Sequence, residues 1–324
     1  MKKILKILLI IFVVIQLIPY LIPLSTYRFT PTFKPFDNSH YLTFNEGGVD
    51  YPLHYRLDVP MDQVVKGKVL LVHGLGASTE SFDENVPALV AEGYLVVSVD
   101  LPGFGYSVRG RNLDHSQLNR SVLLWQLLDA LDGSAEDSIA QMDWTLAGHS
   151  LGGGTVAAMA AERADRTAGL ILIDGALGEM PRRGDLLLAY PPISRWVSVV
   201  MEHVVITEAR VEGFLTSAFG RAPTEDELKD YLWPLTFPGT ARGVSNFVRT
   251  SKGYPMENLS AFTGPVLAIW GAEDSWVPVS EMDRIATYLP QLERFVIEGA
   301  GHCPNETHVG AFNERMIDFL RGII

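Results

Sequence analysis

Three residues of this chain have the types and the order needed for nucleophilic catalysis, and the first is a serine. Ser150 lies in the sequence GHSLG (148–152), between a short apolar run and a helical pattern rich in Ala and Gly. A serine on so tight a strand-to-helix turn presents its hydroxyl at the edge of a sheet. The flanking glycines are needed because side chains would clash in the turn. We therefore predict that Ser150 is a nucleophile, the alternative being a purely structural turn serine.

A serine hydroxyl needs a general base, and His302 is the best placed of the eight histidines. It closes the stretch EGAGH (298–302), after the last apolar run and before the final helical pattern. This position is at the carboxyl edge of the predicted sheet, the edge that also carries Ser150. His149 occupies the variable position of the serine turn, and we expect it to point elsewhere. Five of the other six histidines lie in polar, early or inserted segments or at a helix start: His40, His54, His115, His203 and His308.

The imidazole needs a carboxylate to orient it, and two aspartates compete for this role. Asp274 follows the apolar run at 266–270, and Asp174 follows the preceding core run. We favour Asp274 because it gives the chain order Ser, Asp, His that one class of triad uses. Asp174 would then be a loop-capping carboxylate at the entrance to an inserted segment, and Glu273 would be a solvated neighbour.

Acyl transfer at Ser150 would also need two N–H donors for the developing oxyanion. The N–H of Leu151 follows the nucleophile directly. The N–H of Leu75 lies in the loop HGLG (73–76), after the first parallel strand. Both donors belong to the backbone, so the side chains are unimportant for this role. This chemistry requires neither a metal ion nor an organic cofactor.

The elements that must hold these residues alternate between short apolar runs and helical patterns. The runs KVLLVH (68–73), YLVVSVD (94–100), GLILID (169–174) and VLAIW (266–270) are typical of buried parallel strands. An antiparallel hairpin is predicted within 41–57. Helices are predicted at 82–92, 113–131, 151–163, 280–289 and 308–320. We therefore predict an α/β fold with a mostly parallel sheet and helices on both faces.

One long segment has no buried-strand pattern. Between Asp174 and Val266 the pattern is helical, at 183–190, 193–205, 208–219, 224–233 and 239–251. We interpret this segment as a helical cap inserted between two core strands, with a minority of its large apolar residues lining a substrate pocket. The predicted division of the chain is 1–24 membrane anchor, 25–39 linker, 40–175 and 262–324 core, and 176–261 cap.

Composition excludes several classes of protein. The chain of 324 residues is 47% apolar and 20% charged, which is too apolar for a disordered protein. A formal net charge of -12 makes nucleic acid an unsuitable partner, because neutralising phosphates needs a basic face. The single cysteine, Cys303, permits neither an intrachain disulfide nor a cysteine-based metal cluster.

The N-terminus differs from the rest because it is apolar and basic. Lys2, Lys3 and Lys6 accompany an apolar stretch that has 21 residues from 4 to 24, enough to cross a bilayer as a helix. We favour an uncleaved signal anchor, since no small-residue cleavage site follows it. The alternatives are a cleaved signal with a secreted product, or a peripheral or core helix. The lysines favour a cytoplasmic N-terminus and a globule on the outer face. Pro19 and Pro23 are expected to break the helix near its outer end, before an extended linker at 27–38.

Six segments together resemble the α/β-hydrolase superfamily. In family order they are VLLVHGLG (69–76), VVSVDLPGFGYS (96–107), LAGHSLGG (146–153), LILIDGA (170–176), LAIWGAEDSWVP (267–278) and GAGHCPNETHVGAFNERMIDFL (299–320). The resemblance implies a Ser150–Asp274–His302 triad with the two backbone donors, Leu75 and Leu151. One departure is Thr307, where the family usually carries an acid five residues after the histidine.

The resemblance also narrows the function. Family dehalogenases and epoxide hydrolases carry aspartate where this chain has Ser150, and proline iminopeptidases carry HGGPG where it has HGLGA. Carboxylesterases, monoacylglycerol-lipase-like enzymes, carbon–carbon bond hydrolases and cofactor-free haloperoxidases remain. We predict a membrane-anchored serine hydrolase that cleaves carboxylic esters, with acylglycerols and other amphiphilic esters as candidate substrates. The alternatives are the last two chemistries, or a non-catalytic binding protein on the same fold.

Overall fold

A single eight-stranded sheet forms the centre of the computed structural model, which describes residues 2–26, 33–61, 63–110, 112–178 and 190–323. The strand order is β1-β2-β4-β3-β5-β6-β7-β8. β1 and β2 form an antiparallel hairpin, β2 pairs antiparallel with β4, and the pairings from β4 to β8 are parallel. The strands are β1 Ser39–Glu46, β2 Val49–Asp58, β3 Gly67–Val72, β4 Tyr94–Val99, β5 Trp144–His149, β6 Thr167–Ile173, β7 Val266–Gly271 and β8 Leu292–Ile297.

Helices cover both faces of this sheet, which explains the continuous apolar runs of its central strands. Along β3, Leu70 and Val72 belong to one apolar cluster, whereas Val69 and Leu71 belong to a second cluster on the opposite face. The helices are α1 Lys2–Leu21, α2 Val86–Ala91, α3 Gln117–Asp132, α4 Asp137–Ala140, α5 Leu151–Glu162, α6 Pro191–Val200, α7 Glu208–Phe219, α8 Glu225–Leu235, α9 Thr240–Thr250, α10 Glu281–Ala286, α11 Pro304–Thr307 and α12 Val309–Ile323.

The predicted α/β fold is confirmed, but several predicted helix bounds are wrong. The helix predicted at 82–92 is a 3-10 turn at Thr79–Phe82 followed by the short α2. The helix predicted at 113–131 begins only at Gln117, because Ser116 caps it: the Ser116 side chain accepts a hydrogen bond from the backbone N of Asn119 at 3.2 Å. A serine at this position satisfies a backbone donor that the first helical turn leaves unpaired.

The segment between β6 and β7 is helical wherever the structure describes it. α6 continues into a π-helical turn at Met201–Val205, and α7, α8 and α9 follow. The helix predicted at 183–190 lies outside the described residues, apart from its last residue. This segment lies over the carboxyl edge of the sheet, where the cavity described below is enclosed.

The apolar helix α1 passes through Pro19 and ends at Leu21, so the helix ends between the two prolines that were expected to break it. Pro19 has no N–H to donate to the carbonyl of Ile15, four residues earlier. Trp196 of α6 supplies the missing donor, with its Nε1 at 3.0 Å from the Ile15 oxygen. By length and composition, α1 is the helix of the described residues that could cross a membrane.

The end of α1 is bound to the segment that follows β6. Arg195 of α6 donates hydrogen bonds to the carbonyls of Pro19, at 2.9 Å, and Ile22, at 2.6 Å. Glu202, in the π-helical turn, accepts from the backbone N of Ser25 at 2.7 Å and from its hydroxyl at 3.1 Å. The bonds from Arg195 satisfy carbonyls at and just after the helix end, where the helix itself supplies no N–H partner.

The segment predicted to be an extended linker is packed on the globule at both of its described ends. Ser25 is bonded to Glu202, as above. At the other end, the rings of Phe33 and Phe36 lie 6.1 and 5.7 Å from the ring of Tyr106. Residues 27–32 lie outside the described part of the chain.

Candidate active site

Ser150 lies on a strained turn between β5 and α5. Its backbone has φ 48° and ψ -113°, a conformation that L-residues rarely adopt. The carbonyl of Ser150 accepts hydrogen bonds from the N–H groups of Gly153 and Ala176, both at 2.9 Å, which hold the turn in place. A Cβ atom on Gly152 would lie 2.1 Å from the carbonyl oxygen of Val72, so only glycine fits where α5 starts beside β3. The serine hydroxyl is thereby presented at the carboxyl edge of the sheet.

Asp274 and His302 meet at the same edge. The Oδ2 atom of Asp274 lies 2.7 Å from Nδ1 of His302, and both residues are buried. The other oxygen, Oδ1, accepts the backbone N–H groups of Trp276 at 2.7 Å and Val277 at 3.0 Å. Burial acts to raise the pKa of Asp274, but the hydrogen bond and charge of His302 outweigh it and hold that pKa below its usual value. The carboxylate is therefore ionised and orients the imidazole with Nδ1 as the donor.

Ser150 and His302 line one cavity of about 590 Å³, within the range of small-molecule sites. The lining residues that the structure describes include no Lys, Arg, Asp or Glu. Most of the wall is aliphatic or aromatic and comes from the segment between β6 and β7: Met201, Val205, Ile206, Val211, Phe214, Leu215, Leu235, Val244, Phe247 and Val248. The space beside the serine therefore suits an uncharged, apolar molecule.

One predicted oxyanion donor directly follows Ser150, and the other lies in a loop that approaches it, since a Cβ atom on Gly74 would lie 3.3 Å from the Cβ atom of Ser150. Leu151 is the first residue of α5, where N–H groups have no acceptor within the helix. Leu75 lies in the loop after β3, and it also lines the cavity. His73 fixes that loop: its Nε2 accepts from the N–H of Leu101 at 2.9 Å, which leaves Nδ1 to donate to the carbonyl of Gly74 at 2.7 Å.

His149 does not point away from the site as we expected; it lines the cavity. Its Nε2 donates to the carbonyl of His302 at 2.7 Å, and the two rings lie 4.9 Å apart. The reason is the tight packing of the neighbouring loop, since a Cβ atom on Gly74 would lie only 2.7 Å from Nδ1 of His149. Burial lowers the pKa of His149 to about 3, so its ring stays neutral and serves to position the loop of His302.

A second residue that the sequence reasoning missed is Trp276. Its ring stacks on the imidazole of His302, with centroids 5.2 Å apart and an interplanar angle of 29°. Its Nε1 donates to the hydroxyl of Ser217 at 3.0 Å, which links the indole to α7. The only available signal was its position two residues after Asp274, which does not specify the direction of the side chain.

The structure also contains a second Ser–His–Asp arrangement. Nδ1 of His54 lies 2.7 Å from Oδ2 of Asp100, and Nε2 of His54 lies 2.8 Å from the hydroxyl of Ser39. All three residues have 0% exposure, and Asp100 also accepts the backbone N–H groups of Thr79 and Tyr106, both at 2.8 Å. A substrate could reach these side chains only if the protein unfolded locally. Their hydrogen bonds therefore serve to hold separate segments of the chain together.

Asp174, Asp274 and His302 are a described group whose potential metal-binding atoms all lie within 4.8 Å of one another. Most of their carboxyl oxygens already accept hydrogen bonds from protein donors, the exception being Oδ2 of Asp174. Asp274 accepts two backbone N–H groups and His302, and Oδ1 of Asp174 accepts the N–H of Gly271 at 3.0 Å. N–H groups directed at these oxygens would repel a cation bound at the same place. We therefore interpret the group as a hydrogen-bond network.

Comparison with known proteins places this architecture in a family. A family model described as "alpha/beta hydrolase fold" matches residues 68–309. The chain therefore belongs to the α/β-hydrolase family, which confirms the resemblance noted from the sequence.

Relatives within this family differ in their reactions. The chain is 27% identical over 306 residues to a 2-hydroxy-6-oxononadienedioate/2-hydroxy-6-oxononatrienedioate hydrolase of Cupriavidus pinatubonensis, covering 87% of this chain and 95% of that protein. Among solved structures, a bacterial membrane phospholipase A matches with a TM-score of 0.67 and 23% identity, over 88% of this chain and 87% of the other. A thermophilic esterase from Thermogutta terrifontis matches with a TM-score of 0.68 and 21% identity, over 88% and 98%. The structural matches at this identity concern the fold alone.

Proposed function

We propose that this protein is a membrane-anchored serine hydrolase that cleaves carboxylic esters with an apolar acyl group. Membership of the family supports a hydrolase. The choice of a neutral ester rests on one observation: the cavity that holds Ser150 and His302 is lined by apolar side chains and, among the described residues, by no ionic side chain.

In this proposal the reaction proceeds through an acyl-enzyme. His302 takes the proton of Ser150 as the serine oxygen attacks the ester carbonyl, and Asp274 stabilises the imidazolium. The N–H groups of Leu75 and Leu151 stabilise the tetrahedral oxyanion. His302 then protonates the departing alcohol. A water molecule, deprotonated by the same imidazole, attacks the acyl-enzyme and releases the carboxylic acid.

The relatives raise a second candidate function. The Cupriavidus protein is named for a dienedioate, a substrate with two carboxylates. A carboxylate moved into an apolar site without a cationic partner costs several kcal/mol. The described lining offers no such partner, which favours the neutral ester over the dioate.

A pair of esters of equal chain length, one ending in a methyl group and the other in a carboxylate, tests this choice. We expect p-nitrophenyl octanoate to have a kcat/KM about 100-fold above that of the mono-p-nitrophenyl ester of octanedioic acid, because the latter carries a carboxylate at its far end. We also expect at least a tenfold rise in kcat/KM from butanoate to octanoate, since each buried methylene contributes about 0.8 kcal/mol. The assay is initial-rate release of p-nitrophenol. Faster cleavage of 2-hydroxy-6-oxononadienedioate than of any neutral ester would overturn the proposal in favour of carbon–carbon bond hydrolysis.

The membrane part of the proposal is supported by where α1 ends. The π-helical turn that binds Ser25 through Glu202 also contributes Met201 and Val205 to the cavity wall. A wall of the cavity is thus tied to the apolar helix, which suits acylglycerols and other amphiphilic esters held in a bilayer. We further propose the division predicted from the sequence: anchor 1–24, linker 25–39, core 40–175 and 262–324, and cap 176–261.

We expect the full chain, made in a bacterial host, to remain in the membrane fraction after extraction with alkaline carbonate. The reason is the length of α1, since about 20 apolar residues span the hydrocarbon core. Protease added to spheroplasts should digest the globule, because Lys2, Lys3 and Lys6 favour a cytoplasmic N-terminus. Digestion only after the spheroplasts are lysed would reverse the proposed orientation, and release of a shortened soluble protein would indicate a cleaved signal.

A further inference from the structure

A second carboxyl group lies behind the proposed triad. Asp174 is the first residue after β6, and it has 0% exposure and φ 43°, a left-handed conformation held by its surroundings. Its Oδ1 accepts the N–H of Gly271 at 3.0 Å. Its Oδ2 is buried and receives no hydrogen bond from the described residues.

The polar group that faces this carboxyl is the carboxyl of Asp274. A carboxyl oxygen of Asp174, a carboxyl oxygen of Asp274 and a ring nitrogen of His302 all lie within 4.8 Å of one another. Two ionised carboxylates at such separation repel each other strongly in a buried site, so one of them holds a proton. A proton shared between them also explains the missing donor at Asp174, because Asp174 itself becomes the donor.

The environments of the two groups decide which one is protonated. Burial raises the pKa of Asp174 well above its usual range, the charge of Asp274 raises it further, and a single N–H bond opposes them. Asp274 has three donors, namely Trp276, Val277 and His302. Asp274, which accepts more hydrogen bonds, is therefore the ionised member of the pair, and Asp174 is the protonated one.

We propose that Asp174 is a positioning residue: a neutral carboxylic acid that donates a hydrogen bond to Asp274 and so moderates the hold of Asp274 on the imidazole of His302. The inference rests on the proposed function, because it assigns Asp274 to the triad. It differs from the sequence expectation of a loop cap, and it gives the acid of the triad a fourth donor.

Removing this hydrogen-bond donor should change the protonation of His302 in a predictable direction. Without it, the negative charge of Asp274 is less stabilised and binds the imidazolium more strongly, so His302 keeps its proton to higher pH. An ionised Asp174 would have the opposite effect, because deleting a negative charge near His302 makes the imidazolium easier to deprotonate. The sign of the change therefore distinguishes the two states.

Other titratable groups surround this pair. His149 lies beside His302 from β5, and Cys303 follows His302 on the loop after β8. Glu306, near Cys303, has a pKa that burial raises to about 8. These groups remain the same in every variant at position 174, so the informative quantity is the difference between variants.

The test compares wild type with Asp174→Asn and Asp174→Gly. Asparagine keeps the acceptor for Gly271 and an N–H donor for Asp274, and it tolerates positive φ. Glycine also adopts this backbone but removes both groups. The pH dependence of kcat/KM on p-nitrophenyl octanoate is measured for each, after thermal melting has established that each variant is folded. We expect the acid limb to be unchanged in Asp174→Asn and to move to higher pH by roughly half a unit or more in Asp174→Gly.

A second readout does not need ester turnover. Infrared difference spectra of wild type minus Asp174→Asn at neutral pH should contain the carbonyl stretch of a protonated carboxyl, which an ionised carboxylate lacks. A spectrum without this band, or acid limbs that move to lower pH in both variants, would overturn the inference. Absence of ester hydrolysis and of fluorophosphonate labelling in wild type would contradict the proposed function instead, and the infrared result would still decide the state of Asp174.

Discussion

Replacing Ser150 with alanine is expected to abolish covalent labelling by a fluorophosphonate probe and to lower ester hydrolysis by about 10⁴-fold or more. The probe reacts with a serine oxygen that a neighbouring imidazole can deprotonate, and Ser150 shares the cavity with His302. His302→Ala should weaken labelling for the same reason. The measurement is in-gel fluorescence on folded protein, alongside release of p-nitrophenol.

The matched control is Ser39→Ala. Ser39 belongs to the other Ser–His–Asp arrangement, with Nε2 of His54 at 2.8 Å, but it has 0% exposure. We expect this variant to retain full labelling while it melts at a lower temperature, because it loses a buried hydrogen bond. Labelling that survives in Ser150→Ala and disappears in Ser39→Ala would show that the proposed nucleophile is wrong.

Replacing Asp274 with asparagine is expected to lower kcat by about 10³- to 10⁴-fold. The amide cannot stabilise an imidazolium by charge, and its NH₂ group opposes the tautomer in which Nδ1 of His302 is the donor. The fold should survive, because the asparagine oxygen can still accept the N–H groups of Trp276 and Val277. The measurement is steady-state kinetics of ester hydrolysis, with circular dichroism as the check on folding.

The same variant separates the two aspartates considered from the sequence. If Asp274→Asn kept more than about a tenth of wild-type kcat while Asp174→Asn lost about 10³-fold, Asp174 would be the acid that orients the imidazole. The geometry favours the opposite result, since Nδ1 of His302 lies 2.7 Å from Oδ2 of Asp274.

The central fold was predictable because local pattern and global topology agree along most of the chain. Apolar runs such as KVLLVH are buried on both faces only when helices cover both sides of the sheet. Ser150, Asp274 and His302 could be named as site residues because each follows a strand of that sheet, and carboxyl ends of parallel strands share an edge. Their catalytic roles stay predictions until the variants are measured.

Other features depend on contacts between distant segments, which a local pattern does not contain. The direction of His149 is set by the closeness of Gly74. The Ile15 carbonyl that Pro19 leaves without a helical donor accepts from an indole 181 residues further along the chain. The second Ser–His–Asp arrangement has no motif at all, since Ser39, His54 and Asp100 come from three separate segments. Burial distinguishes it from the candidate active site, because Ser39 has 0% exposure whereas Ser150 lines a cavity.

The bonds from α6 to the carbonyls of α1 have a practical consequence for purification. Arg195 and Trp196 donate hydrogen bonds to the carbonyls of Pro19 and Ile15 in the apolar helix and of Ile22, which directly follows it. Residues 1–26 are therefore not a removable tag, because cutting them away uncovers a guanidinium and an indole next to the cavity wall. Purification of the whole chain in detergent retains these contacts beside the cavity. A fragment that lacks residues 1–26 loses them, so its activity should not be equated with that of the whole chain.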